Sequence, residues 1–145
     1  MEIRRAVPDD SDGIEKIETL SFPDPFSKKD IFSYICSEDG MCFVALEGGE
    51  PIAYIIGRII APEGEIYRIA THPDHRRRGV GYRLLSYAMK SERGRGLEST
   101  FLEVRSKNSA AISLYTSYGF VPIGKRKGYY KNPDDDAILM MLGHI

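Results

Sequence analysis

Hydrophobic positions along this chain fall into short runs whose period changes between two and about three and a half, and those changes mark out the elements. Ile3 to Val7 reads as a first strand. Pro8-Asp9-Asp10-Ser11 opens a helix on which Ile14, Ile17 and Leu20 recur at helical spacing. Two prolines stop that helix within Ser21-Phe22-Pro23-Asp24-Pro25-Phe26. Ser27 then caps a second helix with Ile31, Phe32 and Ile35 on one face. Met41 to Leu46 is a strand, Glu47-Gly48-Gly49-Glu50 a hairpin turn, and Ile52 to Ile60 the return strand. Ala61-Pro62-Glu63-Gly64 is a turn, and Glu65 to Thr71 the next strand.

A helix begins at Val80 and buries Val80, Leu84, Leu85, Ala88 and Met89, ending near Gly94-Arg95-Gly96. Thr100 to Arg105 is a strand. Asn108 or Ser109 caps a helix that runs to about Tyr118, with Gly119 as its stop. Phe120 to Lys125 and Ala137 to Leu142 are the last strands, and Pro122 marks an edge or a bulge in the first of them. The strand–helix–strand step from Glu65 to Arg105 favours parallel pairing, and the hairpins on either side favour antiparallel pairing. The expectation is a single domain over residues 1–145. Its class is α/β (α+β), with a mixed, mostly antiparallel central sheet and helices on both faces.

Composition narrows the classes. A chain of 145 residues suits one sizeable core. Hydrophobic content of 42% with 28% charged residues reads as globular rather than disordered. A formal net charge of −1 argues against a dedicated nucleic-acid binder. The longest apolar stretch, Ile52 to Ile60, is broken by Gly57 and Arg58 and is too short to span a bilayer. Met1-Glu2-Ile3-Arg4-Arg5 lacks the apolar core of a signal peptide. Cys36 and Cys42 form no CxxC, so two buried reduced thiols and a cytoplasmic location are expected. His72, His75 and His144 lack metal-ligand spacing, and no metal is expected.

The chemistry starts at Arg76-Arg77-Arg78-Gly79-Val80-Gly81, between a strand and a helix start. Free N–H groups at a helix N-terminus and the helix dipole favour an anion there. Glycines let the backbone approach a phosphate, and arginines add charge and forked donors. A pyrophosphate-bearing ligand fits. A P-loop does not, because Tyr82-Arg83 stands where Lys and Ser or Thr would be needed. A dinucleotide fingerprint would need a third glycine or alanine at Leu84. Arg-x-x-Gly-x-Gly instead resembles the acetyl-CoA motif of the GNAT acetyltransferases.

A second segment runs from Leu102-Glu103-Val104-Arg105 through Asn108 and Ala111-Ile112-Ser113-Leu114-Tyr115 to Gly119-Phe120. It resembles the second acetyl-CoA segment of that family and, more narrowly, the RimI-type N-terminal acetyltransferases. The element order matches the family's fold over nearly the whole chain, which implies a splayed parallel strand pair. The resemblance implies that the backbone from Arg77 through Arg78, Gly79, Val80 and Gly81 to Tyr82 holds the pyrophosphate of acetyl-CoA, with Arg76 as the motif's leading basic residue. Ile69, Ala70 and Thr71 would bond the pantetheine arm and the acetyl carbonyl through their backbone. Asn108 would cap its helix and bond the same arm.

The implied reaction moves an acetyl group from a thioester to an amine. The amine must be neutral to attack, and an α-amine with a pKa near ~8 is neutral far more often than a lysine at about 10.4. Glu103 alternates with Leu102 and Val104, so it faces away from the core. It is either a surface carboxylate paired with a neighbour such as Arg105 or, as the resemblance implies, the general base. Glu65 is the rival base. Tyr115 is the implied acid for the leaving thiolate, with a core aromatic as the alternative. Two segments would flank the acceptor. Ser21 to Ser27, with Phe22, Pro25 and Phe26, resembles the family's F-x-x-P-W-S segment with Phe26 in place of tryptophan. Lys127 to Pro133, with Tyr129 and Tyr130, resembles the substrate loop, with Gly128 where bacterial members carry asparagine; in this it is closer to archaeal enzymes of broad specificity. Asp134-Asp135-Asp136 reads as a solvated turn.

The resemblance therefore implies transfer from acetyl-CoA to the N-terminus of a protein or peptide, a ribosomal protein among the candidates, by a monomer or weak homodimer without membrane contact. The competing readings are a small-molecule or lysine acetyltransferase and a regulatory module that binds acetyl-CoA without catalysis.

Overall fold

The computed structural model describes residues 1–143, so the reading of His144 lies outside the described residues. The elements are β1 (Glu2–Arg5), α1 (Ser11–Ser21), α2 (Lys28–Cys36), β2 (Gly40–Glu47), β3 (Glu50–Ile60), β4 (Glu63–Thr71), α3 (Val80–Arg93), β5 (Ser99–Arg105), α4 (Ser109–Tyr118), β6 (Val121–Tyr130) and β7 (Asp135–Gly143), with short 3₁₀ turns at Pro8–Asp10 and Pro73–His75. They build one sheet of seven strands in the order β1-β2-β3-β4-β5-β7-β6.

One junction organises the sheet. β4 and β5 pair in parallel only from Glu63↔Ser99 to Ile66↔Leu102. Beyond that point β4 follows β3 as far as Thr71↔Ala53, while β5 follows β7 as far as Arg105↔Ala137. The two parallel strands therefore splay apart and leave a gap within the sheet. The β3–β4 register also shifts between Ile56 and Gly57, which leaves Tyr67 without a partner as a β-bulge. The extra residue turns Tyr67 and Arg68 to the same face. Tyr67 packs in the α1–α2 layer, and Arg68 pairs with Glu18 of α1.

Two cores sandwich the sheet. On one face α3 and α4 cover Phe43, Ile55, Ile66, Leu102 and Met140 with Leu84, Leu85 and Tyr115. On the other, α1 and α2 bring Ile14, Ile17 and Ile31 onto Val44, Tyr54 and Ile56. Each fully buried aliphatic side chain in these layers contributes about 1.5–3 kcal/mol of transfer free energy. All five positions read as the apolar stripe of α3 are buried. α1 and α2 pack on β2, β3 and β4, so the rest of that face is left open along β5, β7 and β6.

Several expectations change. Leu20 and Phe32 are 54% and 48% exposed, because the inner stripes of their helices run through Ile14, Ile17, Glu18 and Ile31 instead. Cys36 is exposed at the end of α2, and only Cys42 is buried. α3 ends at Arg93, just before Gly94 as expected, but its last turn buries the Glu92 carboxylate against Arg5 (2.5 Å) and Arg95 (3.0 Å). Pro122 lies on the edge strand and beside a register shift, so both readings of it hold. β6 continues past Lys125 to Tyr130. A second irregularity follows Arg126, Gly128 takes φ +64°, and pairing resumes at Tyr130↔Asp135. Tyr129 and Tyr130 thus end a strand rather than occupying a loop.

Candidate active site

The residues expected at the site fall on two sides of the splayed strands, a donor side for those expected to hold acetyl-CoA and an acceptor side for those expected to meet the amine. On the donor side, β4 leads through the Pro73–His75 turn to Arg76, and α3 starts at Val80 with Gly79 as its N-cap. Arg77 (φ 64°) and Gly79 (φ 74°) are both left-handed, which curls the backbone into a shallow cradle. No side chain caps the helix, so its first N–H groups stay available to an anion. A Cβ placed on Gly79 would meet nothing within 4 Å, so the glycine serves the backbone angle and not a packing contact. Gly81 differs: a Cβ there would lie 3.3 Å from Leu114 of α4, so it permits close helix packing.

The arginines divide their roles. Arg76 donates its Nε to the Thr71 carbonyl at 3.1 Å and ties the cradle to the end of β4. Arg78 bonds His75 at 2.8 Å and Glu47 at 3.2 Å. Ile69 is buried, while Ala70 and Thr71 are partly open beside the gap. Tyr82 lies edge-on to Tyr118 at 5.5 Å. Asn108 caps α4 by accepting the Ala111 N–H at 3.2 Å. Pyrophosphate fits this arrangement, because open backbone amides and a left-handed turn meet at a helix start that no side chain caps, with Arg76, Arg77 and Arg78 in the same turn.

On the acceptor side, Glu65 pairs in register with Phe101, and Glu103 follows Phe101 by two residues on the same face. The open face forms a pocket of about 490 Å³ lined by Glu65, Tyr67, Phe101, Glu103, Ile123 and Leu139. Glu103 has one oxygen 3.6 Å from Arg126, while its Oε2 is buried with no hydrogen-bond partner. Burial, and then the charge of Glu103, raises the Glu65 carboxyl above its ordinary pKa. Arg105, the neighbour offered for Glu103 in the alternative surface-pair reading, turns away. It donates to the Pro133 and Lys131 carbonyls at 2.8 and 3.2 Å and lies 4.4 Å from the Tyr130 ring. The β6–β7 turn offers Arg105 two carbonyls at the end of β5, which leaves Arg126 of β6 to face Glu103.

Tyr130 is half-buried. Burial first, and then the neighbouring Glu103 and Tyr129, push its phenol up to about 12. Tyr129 packs edge-on against it at 5.0 Å and lies under the Arg126 guanidinium at 5.4 Å. Tyr115 is 4% exposed within the α3–α4 core and packs on Phe120 at 5.4 Å. Burial raises its phenol, and Tyr130 adds to the effect across the gap. Glu65 and Glu103 thus share one pocket, while Tyr115 lies in the core on the other face of the sheet.

Phe22 and Phe26 hold Arg68 between their rings at 4.4 and 4.1 Å. The sequence reading missed this cluster. Glu18 is fully buried and accepts the Tyr54 hydroxyl, the Arg68 guanidinium and, at 2.7 Å, the Phe26 N–H. The signals were a glutamate four residues after Ile14 on an apolar stripe and an arginine inside the run Ile66 to Ala70. Asp135 was also misread. It is buried and holds the Ser106 hydroxyl and the Lys107 N–H (3.1 Å), rather than sitting in a solvated turn. Among the described residues no group of His, Cys, Asp or Glu could hold a metal, and no helix is long and apolar enough to cross a membrane.

A sheet split in this way suits a reaction in which an acyl donor on one face meets an acceptor on the other, as in a coenzyme-A-dependent N-acyltransferase. The chain belongs to the acetyltransferase (GNAT) family, whose profile matches residues 11–120. It is 35% identical over 128 residues to the [ribosomal protein bS18]-alanine N-acetyltransferase of Escherichia coli K12, covering 87% of this chain and 86% of the relative. It is 32% identical to the N-alpha-acetyltransferase of Sulfurisphaera tokodaii, covering 95% and 90%. The crystal structure of the ribosomal-protein-S18-alanine N-acetyltransferase from Escherichia coli superposes with a TM-score of 0.90 at 32% identity, over 98% of this chain and 92% of that one. The expected fold, with its splayed parallel pair, is the fold observed.

Proposed function

We propose that the protein acetylates the N-terminal α-amine of a protein or peptide, with Glu103 as base and Tyr115 as acid. The observation that carries the reading is the buried, unpartnered Oε2 of Glu103 in the pocket beside the splay. A carboxylate with one oxygen that no protein donor holds suits a proton acceptor at the edge of that pocket. The activities named for the Escherichia coli and Sulfurisphaera relatives support an N-terminal acceptor. Free thiols at Cys36 and Cys42 suit a cytoplasmic setting.

In this reading acetyl-CoA supplies the activated acetyl group. Amides from Arg77 to Tyr82 hold its pyrophosphate with Arg76 alongside, while the backbone of Ile69 to Thr71 and the Asn108 amide face its arm. Glu103 takes a proton from the α-amine, directly or through water. Glu65 keeps the pocket acidic and attracts the cationic amine. Tyr115 holds its proton through the physiological range, because burial raises its phenol, and delivers it to the departing sulfur. Backbone N–H groups near the Tyr67 bulge face the reacting carbonyl. Phe22, Pro25 and Phe26 on one side, and Tyr129 and Tyr130 on the other, flank the peptide.

The test pairs a peptide bearing a free N-terminus with one bearing a blocked N-terminus and an internal lysine. Coenzyme A release gives turnover, and mass spectrometry locates the acetyl group. Acetyl on the α-amine alone supports the proposal. Acetyl on lysine, or acetyl-CoA binding without transfer to either peptide, overturns it.

A further inference from the structure

The pocket does not account for Arg68, a charged residue in the middle of the strand that carries Glu65. We infer that Arg68 is a positioning residue that locks residues 22–27 against the catalytic pocket and thereby sets which first residues of a peptide are admitted. The inference rests on the peptide reading above.

The β4 bulge sets Tyr67 and Arg68 side by side on the acceptor face, Tyr67 in the pocket wall and Arg68 toward the loop. The loop closes on the guanidinium from several directions. Asp24 offers its carbonyl at 3.0 Å and its carboxylate at 3.5 Å, and the rings of Phe22 and Phe26 stack on it. Behind it, the buried Glu18 accepts from Arg68 and from the Phe26 N–H, so the same carboxylate holds both the clamp and the loop backbone. The Tyr54 hydroxyl supplies a further donor to Glu18 and fixes it on β3.

A second path runs from the loop to the pocket wall. Phe26 packs on Tyr34 at 5.4 Å, and Tyr34 packs on Tyr67 at 5.5 Å. Residues 22–27 and the strand end bearing Tyr129 and Tyr130 flank the peptide in the reading above, and Arg68 holds the first of them. Only a planar, forked cation satisfies a carboxylate, a carbonyl and two ring faces at once. A lysine would keep the charge beside Glu18 and lose the rest.

Arg68→Lys is the decisive variant, with Phe22→Leu as a second that leaves the ion pair whole. Three readouts are combined: steady-state kinetics over peptides differing only in the first residue, the KM for acetyl-CoA, and amide hydrogen exchange. The expected result for Arg68→Lys is a peptide KM raised on the order of tenfold and a flattened first-residue profile, with kcat and the acetyl-CoA KM held. Amides in residues 22–27 should exchange faster while those of α3 do not change. Phe22→Leu should shift the same readouts in the same direction by less. An unchanged peptide profile with unchanged exchange at residues 22–27 overturns the inference. So does a variant in which both KM values and α3 exchange move together, since that marks a general structural role. If the wild-type protein transfers nothing to any peptide, the peptide reading has failed. The lock is then judged by exchange alone, with faster exchange confined to residues 22–27 supporting it and no difference overturning it.

Discussion

The donor cradle and the acceptor pocket lie on opposite faces of one split sheet and are built in opposite ways. The cradle is a continuous stretch from Arg76 to Tyr82, and the groups it offers are backbone amides posed by left-handed angles at Arg77 and Gly79. The pocket is assembled from side chains of β4, β5, β6 and β7, and the α1–α2 loop is clamped beside it. A backbone site tolerates side-chain exchange but not a change of backbone angle. A side-chain site behaves the other way, since a single atom decides it. The difference teaches where each half is vulnerable, and substitutions on one side should leave the other side's ligand undisturbed.

The largest effect is expected from the acceptor side. Glu103→Gln keeps the shape of the side chain and removes its basicity, so kcat should fall about 10²–10⁴-fold with the acetyl-CoA KM unchanged. Steady-state coenzyme A release checks this, and near-normal turnover would remove Glu103 from the base role. On the donor side, Gly79→Ala adds a Cβ that touches nothing but strains a left-handed residue by about 1–2 kcal/mol. Acetyl-CoA binding measured by calorimetry should weaken by a factor of about 5–30, with the peptide KM held. A matching rise in the peptide KM would break the proposed independence of the two faces.

Tyr115 lies where the faces meet, and it sharpens the comparison. Tyr115→Phe should lower kcat about tenfold, or ~1.4 kcal/mol, a modest loss because a thiolate leaves readily without help. Acetyl-CoA affinity should stay within error, and unchanged turnover would reduce the residue to packing against Phe120.

The smallest effect concerns stability at the far end of the acceptor side. The Ser106 hydroxyl, with the Lys107 and Asp136 N–H groups, holds the Asp135 carboxyl below its ordinary range. The folded state therefore favours the ionised form. The resulting stability is complete above the unfolded pKa of about 3.9 and drains away as pH falls through the lower folded value. Asp135→Asn should lower Tm at neutral pH and flatten the loss of Tm below about pH 4, as followed by circular dichroism. A wild-type and variant Tm that fall in parallel on acidification would show that this carboxylate does not carry the effect.

Much of the architecture was legible because neighbouring residues carry it. The α3 stripe, the Ser27 and Asn108 caps and the Gly48-Gly49 hairpin turn follow from periodicity and local backbone chemistry, and each stands where the chain predicts it. Errors arose where burial depends on what lies opposite. Leu20 and Phe32 have the right spacing for a core but face solvent, and Glu18 has the wrong chemistry for a core but is fully buried, because Arg68 and Tyr54 meet it there. Strand alternation turns Glu103 away from the core as expected, but nothing in the sequence singles out Arg126, which reaches it only through the pairing of β7 with both β5 and β6.

By itself the sequence determined the order of elements and the glycine turn that opens α3, because helix starts, glycine angles and amphipathic periods are properties of consecutive residues. Only the tertiary structure decided where β4 parts from β5, which oxygen of Glu103 is left unpartnered and what Arg68 holds. Those outcomes depend on strand register and on a one-residue bulge, and both are set by packing between segments far apart in the chain.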